Sequence, residues 1–567
     1  QRQKIMTLEN LKKTQQLSIA LAQLNPHLGN VHLNTEKLIL AHKKAISMGA
    51  DVIITPEMFL AGYPCDDLVY RDDFIAEIEA SLHDLAKLTT DGKPAIIVGA
   101  PRKNDGVLFN SLFVLDDGKI IHHYDKINLP NYGVFDEKRN FKAGNGTGPI
   151  SLRGWRLGLA ICEDIWTADI CETLQEAGAQ LIISLNASPF EIGKQDKRMA
   201  TAIARMSETN LPIIYLNMVG GQDEVVFDGN SFALNLGGEL ASHLPSFSET
   251  VSTLTLEAKP AGVRMIGQVH KPEEGLASCY NALMIGIRDY VEKNNFPGVV
   301  LGLSGGIDSA LVAVLAADAL GADKVDTIMM PSEYTADISL NDAELLADNL
   351  GIRYKTISIA EAMSQFNIML EPYFKNTDAG IAEENIQSRL RGLTLMAYSN
   401  KFGSMVLATG NKSEYAAGYA TLYGDMCGGY APIKDVWKTT VFELCKWRNN
   451  NVPRLSPIKK DRIIPERIIT RPPSAELRPD QQDTDSLPEY DVLDPILVAL
   501  TEEMADIKTI ISRGFDREVV EKASQLLFRA EYKRFQAAPG PKITTRAFGR
   551  DRRLPLTSGF RPAYHNR

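Results

Sequence analysis

The sequence is poor in cysteine, in long apolar runs and in positive charge, and each shortage argues against a class of protein. Its six cysteines are widely spaced and form no Cys-x-x-Cys pair, which argues against a disulfide framework or a structural zinc and favours the cytoplasm. No uninterrupted apolar run approaches the roughly 18 residues that cross a bilayer, and residues 1–16 lack the pattern of a secretory signal. A net charge of −10 provides no general basic surface for nucleic acid. We therefore expect a cytoplasmic protein that binds neither membranes nor nucleic acids.

The pattern of apolar residues predicts a layered α/β fold in the first half of the chain. Between residues 17 and 258, short β-rich runs alternate with helical segments such as Asn34–Ser47. Runs this short are typical of buried strands rather than helices. The predicted strands are residues 17–24, 52–55, 95–99, 157–161, 181–185 and 213–216. Alternating strands and helices indicate stacked layers, with functional residues where the strands end.

A second domain is predicted to begin after a change in pattern near residue 259. A helix at 280–293, a buried strand at 298–303 and a helix at 309–320 are typical of the opening of a nucleotide-binding α/β domain. The polar, proline-containing stretch 471–488 predicts a long loop, a kind of segment that is often functional. The predicted organisation is a flexible segment at 1–16, a first domain at 17–258, a linker at 259–275 that contains two prolines, and a second domain at 276–567.

The most specific motif of the second domain is Ser304-Gly305-Gly306-Ile307-Asp308-Ser309, which directly follows an apolar strand. A strand that leads through glycines into a helix points backbone N–H groups and the positive helix end at one place, and this geometry binds phosphate. The motif is not a Walker A loop, because the pattern Gly-x-x-x-x-Gly-Lys-Ser/Thr is absent. The alternative is a tight turn that binds no ligand.

The loop resembles that of the ATP pyrophosphatases, and its surroundings resemble the synthetase domain of NAD synthetases. The matching segments are residues 385–391, 409–414, 423–425, 435–438 and 531–534. The resemblance implies a Rossmann-like domain with a parallel sheet, which binds ATP through Gly302, Leu303, Ser304, Gly305, Gly306, Ile307, Asp308, Ser309, Thr409 and Lys438. It also implies Mg²⁺ at Asp308 and Glu414, and nicotinic acid adenine dinucleotide (deamido-NAD) at Asn385, Arg389, Glu414 and Lys533. Arg389 and Lys533 have an alternative interpretation as ordinary surface charges.

Three reactive side chains lie at predicted strand ends of the first domain: Glu57, Lys126 and Cys162. A cysteine is mostly protonated at neutral pH, so a nucleophilic one needs a base or a cation beside it. A glutamate can accept the thiol proton, and a lysine can stabilise the oxyanion formed when an amide is attacked. The alternatives are a buried packing cysteine, a solvated lysine and a helix-capping glutamate. Cys171, which falls in a predicted helix, fits the packing interpretation.

These three positions and their surroundings resemble the nitrilase superfamily, whose catalytic set is Glu–Lys–Cys. The matching segments are residues 56–58, 125–130, 162–166, 186–189 and 228–231. The resemblance implies an α-β-β-α sandwich and a glutaminase site in which Tyr132, Ser188 and Lys194 hold glutamine. From its position alone, Glu137 is expected to orient Lys126.

Together the two resemblances imply an ATP-dependent C–N ligase. The nicotinate carboxylate of deamido-NAD would be activated as an acyl adenylate, and ammonia from glutamine would displace AMP to form NAD. Relatives of this kind assemble as homo-oligomers, often octamers. Two alternatives remain: a ligase that amidates a different carboxylate, and a nucleotide sensor or scaffold in which one or both sites have decayed.

Overall fold

The structure is a computed structural model, and it describes residues 16–260, 262–478 and 481–562. The chain forms two compact units, one of residues up to 222 together with 227–273, the other of residues 223–226 together with those from 274 onward. The predicted flexible segment 1–16 lies outside the described residues apart from Gln16, which begins the first strand. No helix within the described ranges is long and apolar enough to cross a membrane.

The first unit is built mainly of strands. They are β1 (Gln16–Gln23), β2 (Val52–Ile54), β3 (Ala95–Asn104), β4 (Val107–Asp116), β5 (Lys119–Asp125), β6 (Ile150–Leu152), β7 (Trp155–Ile161), β8 (Leu181–Asn186), β9 (Ile213–Asn217), β10 (Val219–Gln222), β11 (Val225–Asp228, whose first two residues are counted with the second unit), β12 (Phe232–Leu234), β13 (Leu240–His243), β14 (Thr250–Lys259) and β15 (Gly262–Ile266). The helices are α1 (Val31–Ser47), α2 (Asp72–Ala86), α3 (Glu137–Asn140), α4 (Asp169–Glu176) and α5 (Lys194–Thr209), with 3₁₀ turns at Asp66–Tyr70, Lys87–Thr89, Cys162–Ile165 and Leu236–Gly238.

Two sheets form the centre of this unit, in the orders β15-β14-β1-β2-β3-β4-β5 and β13-β12-β9-β8-β7-β6. The sheets face each other across a core to which β1 contributes Leu17, Ile19 and Leu21 and β7 contributes Leu157 and Ile161. Helices α1 and α2 pack against the first sheet, and α4 and α5 pack against the second. Because both faces of β7 are covered, its sequence is almost continuously apolar instead of alternating. The expected α-β-β-α sandwich is confirmed.

Part of the segment predicted as a linker, 259–275, is instead a strand. β15 pairs antiparallel with β14, with Gly262 opposite Lys259 and Ile266 opposite Thr255. Its side chains alternate: Val263 and Met265 are buried, whereas their neighbours are exposed. The proline and the charges near residue 259 mark a turn between two strands and not the end of the domain.

The second unit has four strands and is otherwise largely helical. The strands are β16 (Val299–Gly302), β17 (Val325–Met329), β18 (Arg353–Thr356) and β19 (Met405–Val406). The helices are α6 (Gly275–Lys293), α7 (Ile307–Leu320), α8 (Asp337–Leu350), α9 (Ala360–Phe374), α10 (Ile381–Phe402), α11 (Lys412–Ala417), α12 (Lys438–Asn450), α13 (Glu466–Thr470), α14 (Tyr490–Thr501), α15 (Ile507–Ser512), α16 (Arg517–Arg529) and α17 (Glu531–Phe535), with 3₁₀ turns at Ala322–Lys324 and Asp483–Asp485.

The sheet of the second unit is parallel throughout, in the order β18-β17-β16-β19. β16, the first of these strands in the chain, therefore lies between β17, the second, and β19, the fourth. In such doubly wound sheets, ligands bind beyond the carboxyl ends of the strands where the winding direction changes, here between β16 and β19. The expected Rossmann-like domain with a parallel sheet is confirmed, and its topology points to the residues that follow β16 and β19.

Two buried ionic networks hold the helical part of this unit together. In the first, Arg448 donates hydrogen bonds to both carboxylate oxygens of Asp318, and both side chains are fully buried. In the second, the fully buried Lys412 ammonium lies 2.8 Å from Asp435 Oδ1 and 2.6 Å from Thr544 Oγ1. Both networks satisfy charges that would be very costly to bury alone.

Candidate active sites

The predicted nucleophile, Cys162, lies directly after β7 and begins the 3₁₀ turn Cys162–Ile165. Its φ of +43° is in the left-handed region, which is strained for a residue with a Cβ. The side chain is 4% exposed. The thiol is thus held where an apolar strand ends, in a conformation that only surrounding contacts can maintain.

Glu57, Lys126 and Glu137 form one buried cluster. The Lys126 ammonium donates to Glu57 Oε1 at 2.8 Å and to Glu137 Oε1 at 2.9 Å. The three side chains are 1%, 1% and 3% exposed, respectively. The expected placement of Glu137 beside Lys126 is therefore observed, and one cation is shared by two carboxylates that water does not reach.

The cluster sets the protonation of the lysine and the cysteine. Burial alone would lower the pKa of Lys126, but Glu137 and Glu57 raise it well above its usual range, so the ammonium stays charged. Burial raises the pKa of the Cys162 thiol well above its ordinary value; Glu57 raises it further and Lys126 opposes the shift. Both groups thus act electrostatically on the thiol, and burial keeps it protonated in the resting site.

Three groups to which we assigned no role fix the carboxylates. Glu57 Oε1 accepts from Asn110 Nδ2 at 2.8 Å, and Glu57 Oε2 accepts from the Ala187 backbone N–H at 2.9 Å. Tyr63 donates its hydroxyl to Glu137 Oε1 at 2.8 Å. The fully buried Asn110 had a sequence signal, because an amide interrupts the apolar strand Val107–Asp116.

The three residues predicted to hold glutamine all belong to this unit. Tyr132 is half-exposed and donates its hydroxyl to the Glu163 carboxylate at 3.0 Å. The Ser188 hydroxyl is buried and accepts from Arg198 Nε at 3.0 Å. The Lys194 ammonium lies 4.8 Å from the centroid of the Trp166 ring. Burial lowers the pKa of Lys194, and Glu191 and Cys162 oppose that shift.

In the second unit, a cleft of about 260 Å³ lies at the carboxyl ends of β16 and β19. Every residue predicted to bind ATP lines it: Gly302, Leu303, Ser304, Gly305, Gly306, Ile307, Asp308, Ser309, Thr409 and Lys438. The predicted loop 471–488 supplies another wall, in which Arg471 donates to Glu476 and to Ser339 at 2.6 Å each. The cleft therefore lies at the topological switch point that the strand order indicates.

The glycines of the loop are required by its conformation. Gly305 has a φ of +78°, and a Cβ at this position would come within 2.4 Å of the Ser339 carbonyl oxygen. Gly306 is the N-cap of α7, so the first turn of that helix points its N–H groups into the cleft. Ser309 Oγ accepts from the Ser304 backbone N–H at 3.2 Å and closes the loop.

Asp308 and Glu414 face each other in the cleft with Lys438 between them. The Lys438 ammonium lies 2.5 Å from Asp308 Oδ2 and 3.7 Å from Glu414 Oε1. Asn411, which we did not predict, donates from Nδ2 to Asp308 Oδ1 at 2.9 Å and accepts from the Glu414 N–H at 3.0 Å. Burial raises the pKa of Glu414 well above its usual range, and Asp308 adds to this shift.

The remaining residues predicted for deamido-NAD do not line the cleft in the part of the chain that is described. Arg389 donates to the Leu422 carbonyl at 3.2 Å, and Lys533 donates to the Gly418 and Ala420 carbonyls at 2.7 Å each. Asn385 Oδ1 accepts from the Thr421 hydroxyl at 2.8 Å. All three thus hold the loop 418–422, of which Tyr419 and Ala420 line the cleft.

Comparisons with known proteins account for nearly the whole chain. Residues 18–262 match the carbon-nitrogen hydrolase family, and residues 279–537 match the NAD synthase family. The chain is 47% identical to the glutamine-dependent NAD(+) synthetase of Rhodobacter capsulatus over 97% of its own length and 99% of the relative's. It belongs to the glutamine-dependent NAD(+) synthetases. The family has the domain pair that the sequence predicted.

Other glutamine-dependent NAD(+) synthetases are similar to this chain over nearly their whole length. The Acinetobacter baylyi enzyme is 45% identical over 96% of this chain and 99% of its own length. The solved Acinetobacter baumannii glutamine-dependent NAD+ synthetase, described in complex with ADP, has a TM-score of 0.77 and 42% identity over 97% of this chain and 100% of that one. A Cytophaga hutchinsonii synthetase has a TM-score of 0.79 at 22% identity, covers 96% of this chain and 98% of its own, and shares the fold.

Membership of the family confirms the predicted enzyme class and reaction. The chain is a C–N ligase that uses ATP and glutamine to amidate deamido-NAD. The roles of individual residues remain predictions.

Proposed function

We propose that the first unit releases ammonia from glutamine with Cys162 as nucleophile, Glu57 as general base and Lys126 as the oxyanion-stabilising cation. The observation that carries this assignment is the buried cluster in which one lysine ammonium bridges Glu57 and Glu137 beside the thiol. The ion pair keeps Lys126 charged, and burial keeps the thiol protonated until a substrate arrives. The site is therefore built to generate a thiolate only at the moment of attack.

The proposed reaction has two halves. Glu57 accepts the thiol proton as the sulfur of Cys162 attacks the amide carbon of glutamine, and Lys126 donates a hydrogen bond to the oxyanion. Glu57 then passes that proton to the leaving nitrogen, which departs as ammonia and leaves a thioester. In the second half Glu57 deprotonates a water that attacks the thioester, and the proton returns to the sulfur as glutamate leaves. Tyr132, Ser188 and Lys194 are proposed to hold the glutamine.

In the second unit, the loop Gly302–Ser309 is proposed to hold the phosphates of ATP, with Thr409 and Lys438 beside them. The carboxylate of deamido-NAD would attack the α-phosphorus, release pyrophosphate and form an acyl adenylate, which ammonia converts to the amide and AMP. Lys438 is proposed to offset charge on the phosphates, because its ammonium lies in the cleft next to Asp308 of this loop. Asn385, Arg389 and Lys533 are proposed to hold deamido-NAD next to the loop 418–422, to which all three bond. Glu414 is proposed to hold it from inside the cleft.

Asp308 and Glu414 fit a Mg²⁺ ion. Mg²⁺ is usually held by one or two carboxylates together with substrate phosphates, and Asp308 and Glu414 supply two carboxylates in the cleft. Because Asp308 raises the pKa of Glu414, a divalent cation between the two carboxylates would relieve their repulsion. When bound, the ion would neutralise charge on the phosphates. We further propose that the protein acts in the cytoplasm as a homo-oligomer.

The deciding experiment measures AMP and NAD formation from ATP, Mg²⁺ and deamido-NAD with either glutamine or an ammonium salt. The wild-type protein is expected to use both nitrogen sources. Cys162→Ala is expected to lose the reaction with glutamine and keep it with ammonium. Full activity of this variant with glutamine would refute the assignment of the nucleophile. If neither source yields NAD but another carboxylate triggers AMP release, the acceptor assignment is wrong.

A further inference from the structure

Asp164 lies two residues after Cys162 and is fully buried. Its Oδ1 accepts hydrogen bonds from the backbone N–H groups of Ile127 at 3.1 Å and Asn128 at 2.8 Å. Its Oδ2 accepts from the Ile161 N–H at 3.0 Å and from the Tyr124 hydroxyl at 2.9 Å. One side chain thus satisfies four donors without access to water.

These four donors come from the two segments that carry the proposed catalytic pair. The first segment follows the chain past the end of β5, a strand of the seven-stranded sheet, and contains Lys126. It supplies three of the donors, from Tyr124, Ile127 and Asn128. Ile161 is the last residue of β7 in the six-stranded sheet and directly precedes Cys162. Asp164 therefore connects the two sheets at the point where the lysine leaves one and the cysteine leaves the other.

We propose that Asp164 is a positioning residue for glutamine hydrolysis, because it fixes the lysine segment relative to the cysteine turn. The proposal rests on the proposed roles of Cys162 and Lys126. The bond to Ile161 restrains the residue immediately before the left-handed Cys162, whose conformation needs support from its surroundings. A shift of about 1 Å between the reacting groups would lower the rate by roughly 100-fold.

The charge state of Asp164 agrees with this role. Burial raises the pKa of its carboxyl to about 6, while the N–H groups of Asn128 and Ile161 act to lower it. At neutral pH the side chain is an ionised acceptor, and each oxygen can receive two donors.

Asp164→Asn tests the proposal with almost no change in shape. An amide has a single carbonyl oxygen, so it can accept from the lysine segment or from Ile161, while its NH₂ group faces an N–H donor on the other side. We expect kcat for glutamine hydrolysis to fall by about 100-fold with little change in KM for glutamine. NAD formation from ammonium should stay at the wild-type rate. The matched control is Asp84→Asn, the same change at an exposed carboxylate of α2 that accepts from the Lys87 ammonium at 2.8 Å; it should hydrolyse glutamine like the wild type.

Labelling of Cys162 by a diazoketone analogue of glutamine counts the intact sites. If Asp164 only stabilises the fold, Asp164→Asn will have fewer labelled sites or a lower unfolding temperature, with an unchanged kcat per labelled site; that result would overturn the proposal. If Asp164→Asn cannot be recovered folded, Tyr124→Phe decides, since it removes one donor from the same carboxylate. A lower kcat per site for Tyr124→Phe supports positioning, and an unchanged kcat overturns it.

Cys162→Ala separates this proposal from the one on which it rests. If Cys162→Ala still hydrolyses glutamine, the proposed function of the site fails and the role of Asp164 fails with it. If Cys162→Ala is inactive with glutamine but Asp164→Asn keeps the wild-type kcat per site, only the role of Asp164 is wrong.

Discussion

Replacing Lys126 with methionine would leave Glu57 and Glu137 in one buried pocket without the cation they share. In the native site the Lys126 ammonium lies 2.8 Å from one carboxylate and 2.9 Å from the other, with at most 3% of any of these side chains exposed. Removing one partner of a buried ion pair costs about 3–5 kcal/mol, because the remaining charge is uncompensated. We expect the free energy of unfolding of the first unit to fall by about this amount at neutral pH.

The loss should depend on pH, and the sign follows from the direction of the pKa shift. Burial already raises the pKa of Glu137 above its ordinary value, and Lys126 opposes that rise. Without the lysine, the carboxyl pair binds one proton more tightly when folded than the roughly 4.3 of a free glutamate. A group whose folded pKa is raised contributes stability that is present below its unfolded pKa and is lost as pH rises through the folded value. The deficit of Lys126→Met should therefore be smaller at pH 5 than at pH 8.

Hydrogen–deuterium exchange read peptide by peptide as urea is added would measure this loss, since it follows the two units separately. The double variant Lys126→Met/Glu137→Gln is the control, because it removes one of the two facing charges and should recover part of the lost stability. A deficit of equal size at pH 5 and pH 8, or a double variant no more stable than the single one, would refute the electrostatic reasoning. Peptides of the second unit should exchange as in the wild type.

Three further predictions concern the second unit. Gly305→Ala adds a Cβ within 2.4 Å of the Ser339 carbonyl oxygen at a φ of +78°, so AMP formation with either nitrogen source should fall by at least roughly 10-fold, as steady-state assays would show. Arg448→Met leaves Asp318 buried without its cation and should destabilise this unit by about 3–5 kcal/mol in the same exchange experiment, without changing KM for glutamine. Because burial and Asp308 raise the pKa of Glu414, the Mg²⁺ concentration for half-maximal AMP formation should fall as pH rises, and Glu414→Gln should raise it by at least roughly 10-fold and remove the pH dependence.

The parts of the fold that rest on local patterns were predictable from the sequence. The apolar run 157–161 stops just before Cys162, because the side chains that fill the core stop there. The structure accordingly ends β7 at Ile161. The loop Ser304–Ser309 was equally clear, since the two glycines and the strand before them are adjacent in the chain. By contrast β15 was missed, because five alternating residues after a proline match the pattern of a polar linker as well as that of an edge strand.

What the sequence could not provide is the set of long-range contacts that complete each site. The amide of Asn110 stands out in an apolar strand, but nothing near it in the sequence indicates that it bonds to Glu57, 53 residues earlier in the chain. The hydrogen bonds that tie Lys533 to the carbonyls of residues 418 and 420 span more than 110 residues and depend on how helices pack. Such contacts are properties of the assembled core, so they leave little trace in the spacing of residue types.

The partners of Lys412 also have a consequence for how the protein is made. Thr544, whose hydroxyl lies 2.6 Å from the Lys412 ammonium, follows it by 132 residues. A ribosome adding roughly 5–20 residues per second needs about 7–26 s to reach Thr544 after it has made Lys412. During that interval the pocket for the ammonium lacks this partner, so the helices around it cannot reach their final packing. The nascent second unit is therefore expected to remain bound by chaperones and open to proteases well after the first unit has emerged from the ribosomal exit tunnel.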